Sequence, residues 1–348
     1  MLEKIYFETA DNVELFGLLQ KPNTDTDEVV ISIHGMQSNC YKKREDILAK
    51  NITEAGIAYF AFNNRGTEIM CYTKKTDGTK TLNGGSAYED VLESYYDIKG
   101  AINKMLELGY TKIHLQGHSL GCTKVVYTYN KLKEEKDTVL NNVKSVILLS
   151  LVDLVDLQKY DLGIEKYNKV LEYAIQKENK GEIMDLLPFD SFDHPISVKT
   201  YLRYYRDNKD IDFAKFWDKN YTFPELNNIQ IPLFLTWGEK DLIVQDLKEL
   251  IKFLKEKIQN PNLNIGYIKD TDHGYTKKEA DLAKEIMEFV KKLNWNFLLG
   301  AIFFQMVKLI INDLTNLIKE YIIFIEVIVN NEKWIEKITK FLRNFERE

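Results

Sequence analysis

The five residues Gly117-His118-Ser119-Leu120-Gly121 constrain the fold of this 348-residue chain more than any other feature. They follow the apolar run Ile113-His114-Leu115-Gln116 and precede a helix-like stretch from Cys122 to Leu132. A serine flanked by glycines between a strand and a helix is the setting of a nucleophile elbow. A serine hydroxyl is a weak nucleophile unless a base reaches it, and a sharp turn lifts its Oγ clear of the sheet edge. Such a turn needs small neighbours, here Gly117 and Gly121, so that strand and helix approach closely. It also aims the N–H of Leu120 at the place where an oxyanion would form.

The motif alone matches many chains by chance, so its companions matter. His34-Gly35-Met36 leaves the C-terminal end of a buried strand-like run, Val29 to Ile33. A loop there supplies a second oxyanion donor, and the N–H of Met36 is the candidate. Asp241 lies three residues beyond Gly238, which ends the proline-led apolar run Pro232 to Trp237. That position suits an acid that orients an imidazole. Glu239 is its local competitor and Asp153, past the run Val146 to Leu149, a more distant one. His273 follows the alternating run Leu263 to Ile268 and precedes Thr276-Lys277-Lys278-Glu279, which reads as a capping box opening a final helix. Of the five histidines, His34 and His118 belong to the two motif loops, His114 lies within a strand and His194 in an irregular region. His273 is the one placed to be a base.

The order Ser119, Asp241, His273 is that of the α/β-hydrolase triad. On these motifs residues of about 3 to 293 resemble the α/β-hydrolase superfamily, most closely its monoacylglycerol-lipase and serine-aminopeptidase-like esterase branch. The opening hairpin around Asp11-Asn12 and the loop Phe62-Asn63-Asn64-Arg65-Gly66 share in the resemblance. Asn64 stands where monoacylglycerol-lipase-like members usually carry Asp, and Thr67-Glu68 where they carry His-Gly. The resemblance implies a mostly parallel eight-stranded sheet with helices on both faces, no metal and no cofactor. It implies a serine hydrolase of carboxylic esters, esterase- or lipase-like, acting through an acyl-enzyme. Serine at 119, where the dehalogenases of the superfamily carry Asp, disfavours dehalogenation. Thioester or small-amide hydrolysis suits the same triad, and a non-catalytic binding or scaffold module is the alternative from another class.

The alternation of strand and helix signals supports a parallel sheet. Ser86-Ala87-Tyr88-Glu89 reads as a capping box for a helix running to about Leu108. The Lys-, Thr- and Gly-rich stretch from Thr67 to Gly85 before it is expected to shape a pocket or to form a surface flap. Residues of about 154 to 224 break the alternation between the sixth and seventh strands and read as a helical cap. Its aromatic residues (Tyr160, Tyr167, Tyr173, Tyr201, Tyr204, Tyr205, Phe213, Phe216 and Trp217) are expected to pack the cap and roof an acyl or aryl pocket.

The hydrolase domain is expected to span 1–293. A helical extension, 294–348, follows, in which Gln305, Lys308 and Asn312 form a narrow polar stripe on an apolar helix. A second apolar patch runs from Tyr321 to Val329. Both fall short of the roughly 20 clean apolar residues of a spanning helix. Three readings of 295–329 stand: packing on its own domain or a homodimer, peripheral membrane contact, or an extension without a dedicated role. The net charge of −6 gives no electrostatic case for nucleic acid. Three cysteines without repeated spacing suggest a reducing compartment, and the start of the chain lacks a signal-peptide pattern, so a cytoplasmic location is expected.

Overall fold

The computed structural model describes residues 1–188, 192, 194–206, 210–329, 333, 335–337, 339 and 340; for 294–313, 324, 325 and 327–329 it describes the backbone alone. Contacts divide the chain into two units, Met1–Val290 and Lys291–Glu348.

The first unit is built on an eight-stranded sheet of order β1-β2-β4-β3-β7-β8-β9-β10. β1 (Leu2–Glu8) and β2 (Glu14–Gln20) form the opening hairpin, and β2 pairs antiparallel with β4 (Ala58–Asn63). β3 (Glu28–Ile33), β7 (Lys112–His118), β8 (Val143–Leu149), β9 (Leu233–Gly238) and β10 (Leu263–Ile268) run parallel with β4. Helices cover both faces: α1 (Lys43–Glu54), α2 (Ser94–Glu107), α3 (Leu120–Glu134), α8 (Leu247–Lys257) and the start of α9 (Glu279–Val329). Two-sided cover explains why β3, β4 and β9 are buried at every position and are mostly apolar, without the alternation of a half-exposed strand.

Strand order reverses between β3 and β7, because β3 connects through α1 to β4 on one side while β7 lies on the other. Loops leaving the C-terminal ends of the strands diverge at such a point and open a crevice. The register sets Ile33 beside Gly117 and His118 beside Leu149, so the β3, β7 and β8 loops leave the sheet side by side.

The insertion between β8 and β9 carries α4 (Leu154–Leu162), α5 (Ile164–Asn179) and α6 (Val198–Tyr205), with the short α7 (Pro224–Asn227) at its end. Its aromatic residues divide. Tyr167, Tyr201, Tyr204 and Tyr205 pack a cap core of their own, while Phe213 and Phe216 join the core of the sheet. Tyr160, Tyr173 and Trp217 are exposed.

Three local expectations are corrected. The helix expected from Ser86 begins at Ser94, after a 3-10 turn over Val91–Glu93. The Ser86 N–H is taken by the Glu68 carbonyl at 2.9 Å, and the Glu89 carboxylate faces inward to Lys124, so neither completes a capping box. The stretch from Thr67 to Gly85 forms a hairpin, β5 (Cys71–Lys74) and β6 (Lys80–Gly84), tied to the opening hairpin by a Val13–Lys75 bridge and a Lys74–Glu14 ion pair. It lines a cavity of about 380 Å³ with Tyr6, Phe16 and Arg65, away from Ser119. At Thr276 the expected capping box gives way to a turn, in which Asp272 Oδ1 accepts the Thr276 N–H at 2.9 Å, and α9 starts at Glu279.

In the second unit, Leu314, Leu317, Ile318, Tyr321, Ile322 and Ile323 are exposed. The expected polar stripe of Gln305, Lys308 and Asn312 lies outside the described side chains. Among the described residues no helix is long and apolar enough to cross a membrane.

Candidate active site

Ser119 occupies a strained backbone, φ 56° and ψ −126°, between β7 and α3. Its N–H still reaches the Leu149 carbonyl at 2.9 Å, and its own carbonyl accepts the Cys122 N–H at 2.8 Å. A strained non-glycine residue persists only when its surroundings over-determine it, and the glycines show how tightly they do. A Cβ on Gly117 would lie 2.4 Å from the Gly121 carbonyl oxygen, and one on Gly121 would lie 2.2 Å from that of Ile33. The buried thiol of Cys122 donates to the carbonyls of Gly117 and Leu149, both at 3.2 Å, and burial pushes its pKa up. It braces the turn.

The β3 loop sits against this elbow. A Cβ on Gly35 would approach the Ser119 Cβ to 2.9 Å and the Leu120 nitrogen to 3.3 Å. Met36 and Leu120, whose N–H groups are the candidate oxyanion donors, line one cavity with Ser119. The positive end of α3 lies at the same place. Beside them His34 is buried; desolvation, reinforced by the Lys124 charge, lowers its pKa to about 3. The neutral ring donates from Nδ1 to the Gly35 carbonyl at 2.9 Å and accepts the Asn64 N–H on Nε2 at 3.3 Å.

Asp241 and His273 meet. The Asp241 carboxylate, fully buried, takes His273 Nδ1–H at 2.9 and 3.1 Å, and its Oδ1 also accepts the Ile243 N–H at 3.2 Å. The loop carrying His273 is tied to the elbow itself. His118 Nε2–H donates to the His273 carbonyl at 2.8 Å, and the two rings lie 4.9 Å apart between centroids. Burial holds the pKa of His118 well below its ordinary value, so this ring donates as the neutral form. Ser150 Oγ donates to Tyr275 Oη, which donates to the Thr236 carbonyl at 2.8 Å. Gly238 is obligatory beneath this loop, since a Cβ there would lie 2.2 Å from the Asp272 carbonyl oxygen.

The competing acids lie elsewhere. Glu239 accepts the Asp270 N–H at 3.0 Å at the surface. Asp153 caps α4 through the Asp156 N–H at 3.1 Å and holds the cap by accepting the Phe216 N–H at 3.0 Å. Burial, aided by the Asp156 charge, pushes the Asp153 carboxyl up to about 7. A carboxyl raised from 3.8 favours the folded state most when protonated, so its contribution falls as pH rises from about 4 through 7. The Asp153→Asn variant lacks that decline. Its stability relative to wild type is expected to grow by up to a few kcal/mol between pH 5 and pH 8 in denaturant titrations. A constant difference would place the ionisation outside this range.

The cavity at Ser119 has a volume of about 560 Å³. Among the described residues its wall combines the aliphatic Val152, Leu154, Leu157, Leu162 and Ile243 and the aromatic Phe192 and Tyr205 with the polar Gln158, Asp161 and Lys166. Of the cap aromatics singled out in the sequence, Tyr205 alone reaches this wall. One further contact joins the cap to the β3 loop: the Gln37 amide meets His194 Nδ1 at 2.5 Å, and within the cap the His194 ring packs edge-on against Phe192 at 4.6 Å. Sequence reading missed Gln37, Phe192, Lys124 and Glu89. Lys124 carried a signal, a cation inside the helix that follows the elbow, where every residue from Leu120 to Val126 is buried.

No protein-family model and no curated protein sequence matches the chain. Solved structures do. Est1E from Butyrivibrio proteoclasticus with ferulic acid bound superposes with a TM-score of 0.58 at 18% identity, over 83% of this chain and 98% of that one. The hydrolase GrgF from Penicillium sp. sh18 gives 0.60 at 16% identity, over 84% and 98%. The esterase PF2001 of Pyrococcus furiosus gives 0.52 at 18% identity, over 84% and 91%. The chain has the α/β-hydrolase fold. Within that fold the elbow, the β3 loop and the Asp241–His273 pair gather at the carboxyl edge of the sheet. The β5–β6 hairpin and the long α9 lie outside the regular alternation.

Proposed function

We propose that the protein is a serine hydrolase that cleaves carboxylic esters through an acyl-enzyme on Ser119. The observation that carries this reading is the bond from His118, the residue before Ser119, to the His273 carbonyl, which ties the loop bearing the Asp241-paired imidazole to the elbow. In the proposed mechanism Ser119 Oγ attacks the ester carbonyl while His273 Nε2 accepts its proton. Asp241 keeps the proton on Nδ1 and stabilises the imidazolium. The N–H groups of Met36 and Leu120 bind the oxyanion of the tetrahedral intermediate. His273 then protonates the leaving alcohol, and water, activated by the same imidazole, releases the acid.

The cavity volume falls within the range of sites for small organic molecules, and the aliphatic part of its wall favours an apolar acyl group of medium length or a compact aryl group, beside the polar Gln158, Asp161 and Lys166. The ferulic acid bound to Est1E, a structural neighbour, is an aromatic acid in keeping with that choice. A fluorophosphonate probe tests the mechanism: it is expected to label the protein at Ser119, located by peptide mapping. A folded protein that stays unlabelled would overturn the proposal. In a series of p-nitrophenyl esters, kcat/KM is expected to rise with acyl length and then fall once the chain outgrows the cavity. A monotonic rise to long chains would mean that the acyl group leaves the cavity.

A further inference from the structure

We propose that Lys124, acting through Asn64, is a positioning residue that aims the Met36 N–H at the developing oxyanion. The inference rests on the serine-hydrolase reading and adds to it a residue that never touches the substrate.

Lys124 lies on the inner face of α3, one turn beyond the elbow, with its side chain 0% exposed. Its Nζ forms an ion pair with Glu89 Oε2 at 2.6 Å, and that carboxylate is equally buried. A buried ion pair contributes little net stability, because desolvation of both charges offsets their attraction, and an apolar pair of like volume often serves as well. Its value here lies in what else the cation holds. Lys124 Nζ also donates to Asn64 Oδ1 at 3.1 Å, and the same oxygen accepts the Gly66 N–H at 3.0 Å. With its oxygen held from two sides, the Asn64 amide has one orientation, and its NH₂ turns toward the His34 carbonyl at 3.4 Å.

From Asn64 the hold passes to the reacting centre in two steps. The Asn64 backbone N–H donates to His34 Nε2, which leaves the proton of the neutral ring on Nδ1. That proton is donated to the Gly35 carbonyl at 2.9 Å. The Gly35 carbonyl and the Met36 N–H belong to one planar trans peptide and point in opposite directions. Fixing the oxygen on His34 therefore fixes the direction of the Met36 N–H.

The ion pair is built into this loop. A Cβ on Gly66 would lie 2.0 Å from Glu89 Oε2, so the carboxylate rests directly on the Gly66 backbone. From the cap, Thr200 Oγ1 donates to the Glu89 carbonyl at 3.0 Å, so Glu89 is fixed from that side too.

The test removes both charges together, as Lys124→Met with Glu89→Gln, because either change alone leaves a buried unpaired ion. Turnover of p-nitrophenyl butyrate and thermal unfolding are measured beside wild type. The double variant is expected to fold with a wild-type melting temperature or higher, and to lose about ten- to a hundredfold in kcat at unchanged KM, as a misaimed oxyanion donor requires. A folded double variant with wild-type kcat overturns the proposal. If the double variant does not fold, Asn64→Ala, which keeps the ion pair, decides on the same terms: lost kcat at unchanged KM supports the proposal, and wild-type kcat overturns it. A wild type that neither turns over the ester nor reacts with a fluorophosphonate overturns the serine-hydrolase reading and this inference together. An active wild type matched by its variants overturns this inference alone.

Discussion

Ser119→Ala is expected to lower kcat/KM for an ester substrate by about 10⁴- to 10⁶-fold, the loss seen when the nucleophile of an assembled triad is removed. The residual rate comes from the oxyanion donors and from binding, which the substitution leaves in place. The fold is expected to survive, because alanine places the same Cβ at the same strained backbone, φ 56° and ψ −126°. Thermal unfolding of the alanine variant should therefore match wild type. Ser119→Gly is the informative companion. It is equally inactive, but it removes the Cβ that makes this conformation costly, and its melting temperature is expected to rise by the equivalent of about 1–3 kcal/mol. A residual rate near wild type in Ser119→Ala would end the proposed assignment. An unchanged melting temperature in Ser119→Gly would mean that the turn stores no strain at this residue.

The parts of the fold legible in the sequence are those whose signal is local. The apolar run Val29 to Ile33, the glycine-flanked serine and the proline-led run before Gly238 each announce an element from within a few residues, and the structure places β3, the elbow and β9 there. The interruption of alternation after residue 154 announced the cap because, among the described residues, the helices there follow one another without an intervening strand. Capping boxes were less legible. At Ser86 the motif is present, but its N–H and its Glu partner are claimed by Glu68 and Lys124, residues far away in sequence. A local motif states what the backbone can do, and tertiary contacts decide whether it does so.

The candidate site divides in the same way. Ser119, Asp241 and His273 were legible because each sits on a glycine-marked loop at a strand end, and parallel strands bring such loops to one edge. What holds them was not. The ties from His118 to the His273 carbonyl and from Gln37 to His194 span 155 and 157 residues, and neither residue type advertises its partner. The aromatic residues of the cap were less legible, since Tyr201 and Tyr204 serve the cap's packing while aliphatic residues, with Gln158, Asp161 and Lys166, line much of the cavity. Composition reports that a segment is aromatic. It carries no record of which face each ring presents.

Asp241→Asn is expected to cost about 10⁴-fold in kcat, and the local geometry says why an isosteric change should be so severe. Asp241 Oδ1 accepts the Ile243 N–H at 3.2 Å, while Oδ2 lies 2.9 Å from His273 Nδ1. In the asparagine variant the Ile243 N–H still requires an acceptor, so the amide oxygen takes the Oδ1 position. The NH₂ group then faces His273 Nδ1, which must accept rather than donate. The proton of the neutral ring moves to Nε2, the nitrogen that has to be free to deprotonate Ser119 in the proposed mechanism. The loss therefore lies in the tautomer, with the side-chain volume unchanged, and KM and the melting temperature should stay close to wild type. Asp153→Asn is the control, because that carboxyl touches the Asp156 and Phe216 backbone and not His273. It should retain turnover within a few-fold while changing the pH dependence of stability. Equal damage from both variants would mean that the cap, and not the imidazole, limits the reaction. Damage from Asp153→Asn alone would move the catalytic acid to the end of β8.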